Sequence, residues 1–334
     1  MMANMRKLDE WFLQNRREFP WREAPTPYRV WISEVMLQQT RAVVVIPYFE
    51  RWLTLFPDVP VLAAAPLTQV IKAWEGLGYY SRARNLHRGA QQIVDRFGGQ
   101  IPSKREDLES IHGLGPYTVG AILSFGFHQR FAAVDGNVTR VLARYFWIEE
   151  NVSKQSVKRK IAQAAESVLD AEEPWVTAEA LIELGATICT PKPKCAVCPL
   201  QAQCLGQHRA ELLPIKNEEK AVTQLERVVV LIESEGRILV KKGEAGKVMA
   251  DLYEFPYFER GVNVERRLGL KVTILEKLPM VTHTFTRFKA RLYPIYCKTD
   301  LPKQIGGYEW VPCAILPELP FSAGHRRILC KFFT

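Results

Sequence analysis

Along residues 1–188, apolar positions recur at the three-to-four-residue spacing of amphipathic helices. The segments 5–17, 28–43, 46–56, 66–75, 81–97, 104–111, 116–127, 136–145, 154–169 and 175–188 all carry this spacing. Pro20, Pro27, Pro47, Pro57, Pro66, Pro102, Pro116 and Pro174 fall at or near starts, where a missing N–H costs little. No strand pair is evident before about residue 225. There the pattern changes to runs of β-branched residues. Arg227-Val-Val-Val-Leu-Ile-Glu233, a Gly turn and Arg237-Ile-Leu-Val-Lys241 predict a hairpin. Further strands are expected at 271–276, 280–288, 290–297 and 307–311, with a closing helix at 324–332. The expected fold class is α+β multidomain: a helical domain over 1–206, a polar linker over 207–225, and a smaller strand-rich domain over 226–334.

Composition narrows the class. The chain has 334 residues, 47% hydrophobic and 24% charged, which excludes a disordered or fibrous chain. Its formal charge is +9, which favours polyanionic partners. The excess is spread: 26 Lys+Arg against 22 Asp+Glu in residues 1–217, and 19 against 14 in residues 218–334. No apolar run approaches the ~18–20 residues of a membrane span. The first residues lack a signal-peptide core, so a cytoplasmic, nucleoid-associated protein without membrane contact is expected, acting as a monomer. In that compartment thiols stay reduced.

Four of the seven Cys lie within sixteen residues: Cys189, Cys195, Cys198 and Cys204. Four thiolates at such spacing bind zinc or an iron–sulfur cluster. A single CxxC flanked by Cys five residues away on each side suits a [4Fe–4S] cube better than two zinc knuckles. The loop in the first gap carries Lys192 and Lys194 between prolines, which suits a phosphate. Cys297, Cys313 and Cys330 are expected to be core residues.

Ile111-His-Gly-Leu-Gly-Pro-Tyr reads as a helix–hairpin–helix turn. Gly113 and Gly115 allow positive φ and leave backbone N–H groups bare, which suits a DNA phosphate. A plain αα-turn is the alternative. Two carboxylates stand out. Asp135 precedes a helix beginning near Gly136 and could simply be an N-cap. Glu34 sits among apolar residues of a helix that looks largely buried, where a carboxyl keeps its proton and can serve as a general acid; an acid at the helix rim is the alternative.

These residues belong to a longer set. Phe-Pro-Trp at 19–21, Pro-Tyr-Arg-Val-Trp at 27–31, Ser-Glu-Val-Met-Leu-Gln-Gln-Thr at 33–40 and Ile-Pro-Tyr-Phe at 46–49 come first. Gly-Leu-Gly-Tyr-Tyr-Ser-Arg-Ala-Arg-Asn-Leu-His at 76–87, the hairpin, Val-Asp-Gly-Asn-Val at 134–138, Leu-Gly-Ala at 184–186 and the cysteines follow. In this order the chain resembles the adenine DNA glycosylases of the MutY type, in the helix–hairpin–helix glycosylase superfamily, over about 5–330.

The resemblance implies a monofunctional glycosylase that removes adenine opposite 8-oxoguanine or guanine in double-stranded DNA and initiates base excision repair. Glu34 would protonate N7 of the flipped adenine. Asp135 would stabilise the oxocarbenium-like sugar or attack it transiently, the logic of a two-carboxylate glycosidase. Tyr117 and Asn137 would line the reaction centre. Trp21, Arg22, Leu37 and Glu179 would border the adenine. Gln39, with Thr40 beside it, and Tyr79 would wedge into the stack. From the residues alone, core packing is the simpler reading of Trp21, Leu37 and Tyr79.

Endonuclease III is similar as far as the cysteines but carries a Lys where this chain has Tyr117, so lyase chemistry through an amine is not expected. An endonuclease III-like lyase and a non-catalytic iron–sulfur DNA-binding protein are the alternatives. The C-terminal part resembles the family's Nudix-like domain, beginning at Leu252-Tyr-Glu-Phe-Pro256, without a Nudix box. Its lesion-recognition loop corresponds to His283-Thr-Phe-Thr-Arg287, giving Phe285 and Thr286 as lesion contacts and Arg287 where the family has His. Two further departures are the five-residue first Cys gap, usually six, and His112 before the hairpin glycine.

Overall fold

The computed structural model describes every residue except Met1, 218–220, Ala245, Val248, 286–287 and Thr334; the side chains of residues 2–4, Phe285 and Phe333 are also outside it. The chain forms two compact units. One comprises Met1–Ala64 and Asn85–Glu218, the other Ala65–Arg84 and Glu219–Thr334. Residues 65–84, which read as part of the helical domain, thus group with the strand-rich one.

The first unit is helical. Its helices include Met2–Asn15, Pro27–Leu37, Ala42–Leu55, Pro116–Ala121, Gly136–Tyr145, Gln155–Val168 and Pro174–Thr187. One core joins the first and the last three of these through Leu8, Phe12, Leu142, Ile161, Leu181 and Leu184, all at 1% exposure or less. Pro116–Ala121 continues as a π-turn, Ile122–Gly126. Gly126 then lies so close to the start of Pro27–Leu37 that a Cβ would stand 2.8 Å from Pro27 Cα.

Several boundaries differ from the periodicity reading. The helix expected over 28–43 ends at Leu37, because Gln39 takes φ +57 and Thr40 N donates to Leu37 O at 3.1 Å. No Gly or Pro announces that break. The next helix starts at Ala42, so Pro47 lies inside it rather than at its start. The carbonyl that Pro47 leaves without its N–H belongs to exposed Val43, where water can serve it. Short helices at Pro20–Glu23 and Val59–Ala64 had no periodic signal. Residues 207–217 of the expected linker pack on the helical unit instead. Leu213 O accepts from Arg144 Nε at 3.0 Å, and Val152 N donates to Ile215 O at 2.9 Å.

In the second unit the described strands are β1 (Thr223–Ser234), β2 (Arg237–Lys242), β3 (Tyr253–Glu254), β4 (Tyr257–Glu259), β5 (Thr273–Lys277), β6 (Val281–Phe285), β7 (Phe288–Lys298) and β8 (Glu309–Pro312). The expected hairpin is β1–β2, with Glu233 opposite Ile238. The spine is a parallel pairing of β1 with β7, from Thr223–Phe288 to Glu233–Lys298. Such a strand is covered on both faces and reads as a continuous apolar run. Accordingly Val229 and Leu231 enter one core with Phe255, Leu316 and Phe321, while Val230 and Ile232 enter another with Leu268, Leu270 and Cys297. Helix Ala323–Phe333 closes the first of these. No helix among the described residues is long and apolar enough to cross a membrane.

Candidate active site

Glu34 lies in the last turns of Pro27–Leu37. Thr26 caps this helix, accepting from Arg29 N at 3.2 Å, and Pro27 opens it. Every residue from Val30 to Met36 is buried, so the carboxyl is delivered into the protein interior. Tyr117, in the helix after the hairpin, donates its hydroxyl to Glu34 Oε2. Burial pushes the Glu34 carboxyl up to about 7. The Tyr117 hydrogen bond and Arg22 oppose this rise, and the charges of Glu179 and Asp135 add to it. Burial likewise pushes the Tyr117 phenol well above its ordinary value, so it remains a donor.

Asp135 is the N-cap of Gly136–Tyr145. Its Oδ1 accepts from Val138 N at 2.7 Å, and its Oδ2 accepts from Asn137 Nδ2 at 2.6 Å. Burial raises its pKa, against these donors and Arg140. Asn137 is oriented in turn by Arg140, whose Nη2 donates to Asn137 Oδ1 at 2.9 Å and to Gly185 O at 2.8 Å. Gly185 must be a glycine. A Cβ there would stand 2.6 Å from Asn137 Cβ, so it sets how closely Pro174–Thr187 approaches the Asp135 helix.

Of the residues expected to border the base, Trp21 is buried, stacked on Phe19 at 4.8 Å and edge-on to Phe49 at 5.6 Å. Arg22 Nε lies 3.4 Å from Glu179 Oε2, and its Nη2 lies 3.0 Å from Glu183 Oε2. Glu183 is wholly buried and also binds Arg17 Nε at 2.5 Å. Leu37 is half-buried; Gln39 is exposed and left-handed; Thr40 is half-buried. Tyr79 belongs to the other unit, where it is 45% exposed with φ +46. Thr286 and the side chain of Phe285 lie outside the described residues, as does Arg287.

The two hairpin glycines differ. Gly113 has φ +84, and a Cβ would stand 2.5 Å from Asn85 Cβ. Gly115 instead has φ −88, extended backbone open to any residue, and a Cβ there would meet nothing within 4 Å. It is required by neither backbone conformation nor internal packing.

The four cysteines line one open pocket, together with Arg144, Lys194, Gln201 and Gln207. Cys189, Cys198 and Cys204 pack against the helical core. Burial and neighbouring thiols raise the Cys195, Cys198 and Cys204 thiols, Cys198 to about 11. Among the described residues no three His, Cys, Asp or Glu side chains are grouped to hold a single metal ion. The thiols ring a space instead, a donor set that fits a multi-iron cluster. Lys192 and Lys194 are exposed on the same loop. Arg144 anchors it, donating to Thr190 O at 2.6 Å and Pro191 O at 3.2 Å, with Nη1 3.4 Å from Cys189 Sγ. Arg140, one turn earlier, donates to Cys189 O at 2.8 Å.

Sequence reasoning gave no role to Arg140, Arg144, Glu183 or Gly185, although Gly185 lies in the Leu-Gly-Ala motif at 184–186. The signal for the first two was available: two arginines four apart on a helix whose neighbouring positions are apolar.

Comparisons with known proteins agree with this geometry. The HhH-GPD superfamily of base excision DNA repair proteins matches residues 32–167, and the NUDIX domain family matches 227–331. The adenine DNA glycosylase of Buchnera aphidicola subsp. Acyrthosiphon pisum (strain APS) is 32% identical over 292 residues, covering 85% of this chain and 83% of that protein. The adenine DNA glycosylase of Homo sapiens is 41% identical over 211 residues, covering 60% of this chain and 39% of that protein. The structure of a thermostable thymine-DNA glycosylase superposes with a TM-score of 0.58 at 25% identity, covering 62% of this chain and 96% of that one. By the extent of these matches, the chain belongs to the adenine DNA glycosylase family.

Proposed function

We propose that this protein hydrolyses the N-glycosidic bond of adenine paired with 8-oxoguanine or guanine in double-stranded DNA, leaving an abasic site. The observation that carries the reading is Glu34, a buried carboxyl that retains its proton near neutral pH beside the hydroxyl of Tyr117. In the proposed reaction Glu34 gives its proton to N7 of the extruded adenine. The C1′–N9 bond then breaks, and the bonding pair leaves with the base. Asp135, held by Val138 N and Asn137, carries the negative charge that faces the developing oxocarbenium ion, or bonds to it transiently. Water completes the hydrolysis at C1′. Trp21, Arg22, Leu37 and Glu179 border the base, and extrusion is least costly at a mispair. Tyr117 provides no amine, so no Schiff base forms and the strand stays intact.

DNA is held from the hairpin and the cysteine loop. Gly115 has room for a side chain within the protein yet carries none, which supports close approach of a phosphate to its backbone. Cys189, Cys195, Cys198 and Cys204 would hold a [4Fe–4S] cluster, which folds the loop carrying Lys192 and Lys194. Gln39 and Tyr79 act as wedges in the base stack, and both adopt left-handed backbone as non-glycine residues. The Nudix-like unit faces the 8-oxoguanine strand through the loop that includes Phe285 and Thr286. The protein acts as a monomer in the nucleoid.

The test is an assay of duplexes with adenine opposite 8-oxoguanine, guanine or thymine. Free adenine should be released from the first two, with strand breakage only after alkali. Release that survives Glu34→Gln would overturn the mechanism. Alkali-independent cleavage at an oxidised pyrimidine would favour the endonuclease III-like alternative, and tight binding without base release a non-catalytic role.

A further inference from the structure

The segment that carries Tyr79 folds with the strand-rich unit. Helix Leu67–Ala73 leads into a turn whose backbone is left-handed at Gly76 (φ +105), Gly78 (φ +72) and Tyr79 (φ +46). The turn is knitted internally. Arg82 Nη2 donates to Leu77 O and Gly78 O, both at 3.1 Å, and Trp74 Nε1 donates to Gly78 O at 3.0 Å. The Arg82 guanidinium also lies over the rings of Trp74 and Tyr79, at 5.0 and 5.8 Å. Left-handed backbone is disfavoured for a non-glycine residue, so its surroundings must over-determine it.

Side chains on both sides of the turn tie it to the strand-rich fold, beginning with Glu75. Its Oε1 accepts from Phe321 N at 2.9 Å and Arg326 Nε at 2.7 Å, and its Oε2 accepts from Lys72 Nζ at 2.8 Å. Lys72 also donates to Pro317 O at 2.5 Å and Leu319 O at 3.3 Å, and Arg326 donates to Leu319 O. On the far side of the turn, Arg84 Nη1 donates to Ala250 O at 2.9 Å. The side chains of Glu75 and Arg326 are only 13% and 18% exposed. Arg326 sits in the first turn of Ala323–Phe333, where the helix dipole disfavours a cation. Its guanidinium is therefore placed there by its partners, not by its helix.

We propose that Glu75 and Arg326 form a latch through which the Nudix-like fold positions the Tyr79 wedge. The unit that faces 8-oxoguanine thereby also sets the aromatic ring beside it. Lesion recognition and intercalation become one event, and the latch residues are positioning residues for specificity. The inference rests on the reading of Tyr79 as a wedge given above.

The experiment uses the full chain and two readouts. One is the ratio of single-turnover rate constants for adenine opposite 8-oxoguanine and opposite guanine. The other is the fluorescence of 2-aminopurine placed next to 8-oxoguanine in a duplex with a non-cleavable adenine analogue, which stacking against a ring alters. Arg326→Met and Tyr79→Leu should each lower the rate ratio, Arg326→Met by about tenfold, and each should abolish the fluorescence response. The double variant should be no worse than Tyr79→Leu, because both act by one route. Arg326→Lys should restore part of both signals. Glu75→Gln, which keeps an acceptor for Phe321 N, provides a second variant should Arg326→Met fold poorly, and should weaken both signals. Arg326→Met and Glu75→Gln that keep both signals, while Tyr79→Leu loses them, overturn the latch and leave the wedge standing. A Tyr79→Leu protein that keeps both signals overturns the wedge, and the latch with it.

Discussion

Replacing Glu34 by Gln should abolish adenine release and, at alkaline pH, make the protein more stable. Burial raises the carboxyl from its ordinary 4.5 to about 7, net of the Tyr117 hydrogen bond that opposes the rise. A tenfold change in proton affinity is worth about 1.4 kcal/mol, so the full difference is about 3 kcal/mol. Its sign follows from proton binding: the folded protein holds the Glu34 proton more tightly than the unfolded chain does. Stability is therefore complete below pH 4.5, falls as pH rises, and has lost the whole amount once pH passes about 7. Gln has the same shape, still accepts from Tyr117, and carries no charge to desolvate. Urea unfolding followed by circular dichroism should show Glu34→Gln more stable than the parent by about 3 kcal/mol at pH 8 and by about 1 kcal/mol at pH 5.5. Single-turnover adenine release by the parent should decline above about pH 7, as the acid loses its proton. A Glu34→Gln protein no more stable than the parent at pH 8 would refute the reasoning, because an ionised carboxylate would then sit at this place without cost.

Tyr117→Phe removes the hydrogen bond that lowers the Glu34 pKa, so the alkaline limb of the rate profile should move to higher pH, read from single-turnover rates. Gly185→Ala forces a methyl against Asn137 Cβ and should cost about 1–3 kcal/mol of stability; adenine release should fall at least tenfold, about the effect of a 1.4 kcal/mol rise in barrier, with DNA affinity retained in a binding titration. Gly115→Ala should leave the melting temperature unchanged and weaken DNA binding, whereas Gly113→Ala should lower the melting temperature, since it meets Asn85 and is strained at φ +84. Cys198→Ser should remove the absorbance of the proposed cluster, a broad band at about 400 nm, and lower the melting temperature of the helical unit.

The elements that carry chemistry were legible because each has a local cause. Asp135 precedes a helix, Gly113 needs a conformation only glycine takes cheaply, and Glu34 interrupts an apolar stretch. What was hidden depends on contacts between distant segments. Nothing near Gly185 shows that Asn137 will lie against it 48 positions earlier in the chain. Glu183 looks like any surface acid until Arg17 and Arg22 converge on it. Residues 207–217 looked like a linker because their side chains are polar, yet their carbonyls serve Arg144 and Val152. The grouping of residues 65–84 with the strand-rich unit is the largest such case. It involves Lys72, Glu75 and Arg84, whose partners in the strand-rich part lie far away in the chain.

The two carboxylates differ in what meets them, and that difference supports the roles proposed for them. Burial raises the pKa of both. Glu34 is met by the hydroxyl of Tyr117, and the residual push favours the protonated form. Asp135 is met by a backbone N–H at the head of a helix and by an amide that Arg140 holds in place, each of which favours the ionised form. In the proposed reaction the donors around Asp135 offset part of its burial, so that Glu34 would serve as the proton donor and Asp135 as the bearer of charge. The same arrangement ties the second carboxylate to the cysteine loop, because Arg140 donates at once to Asn137 Oδ1 and Cys189 O. The loop need not take part in the reaction to influence it. It need only hold one carbonyl where the guanidinium expects it.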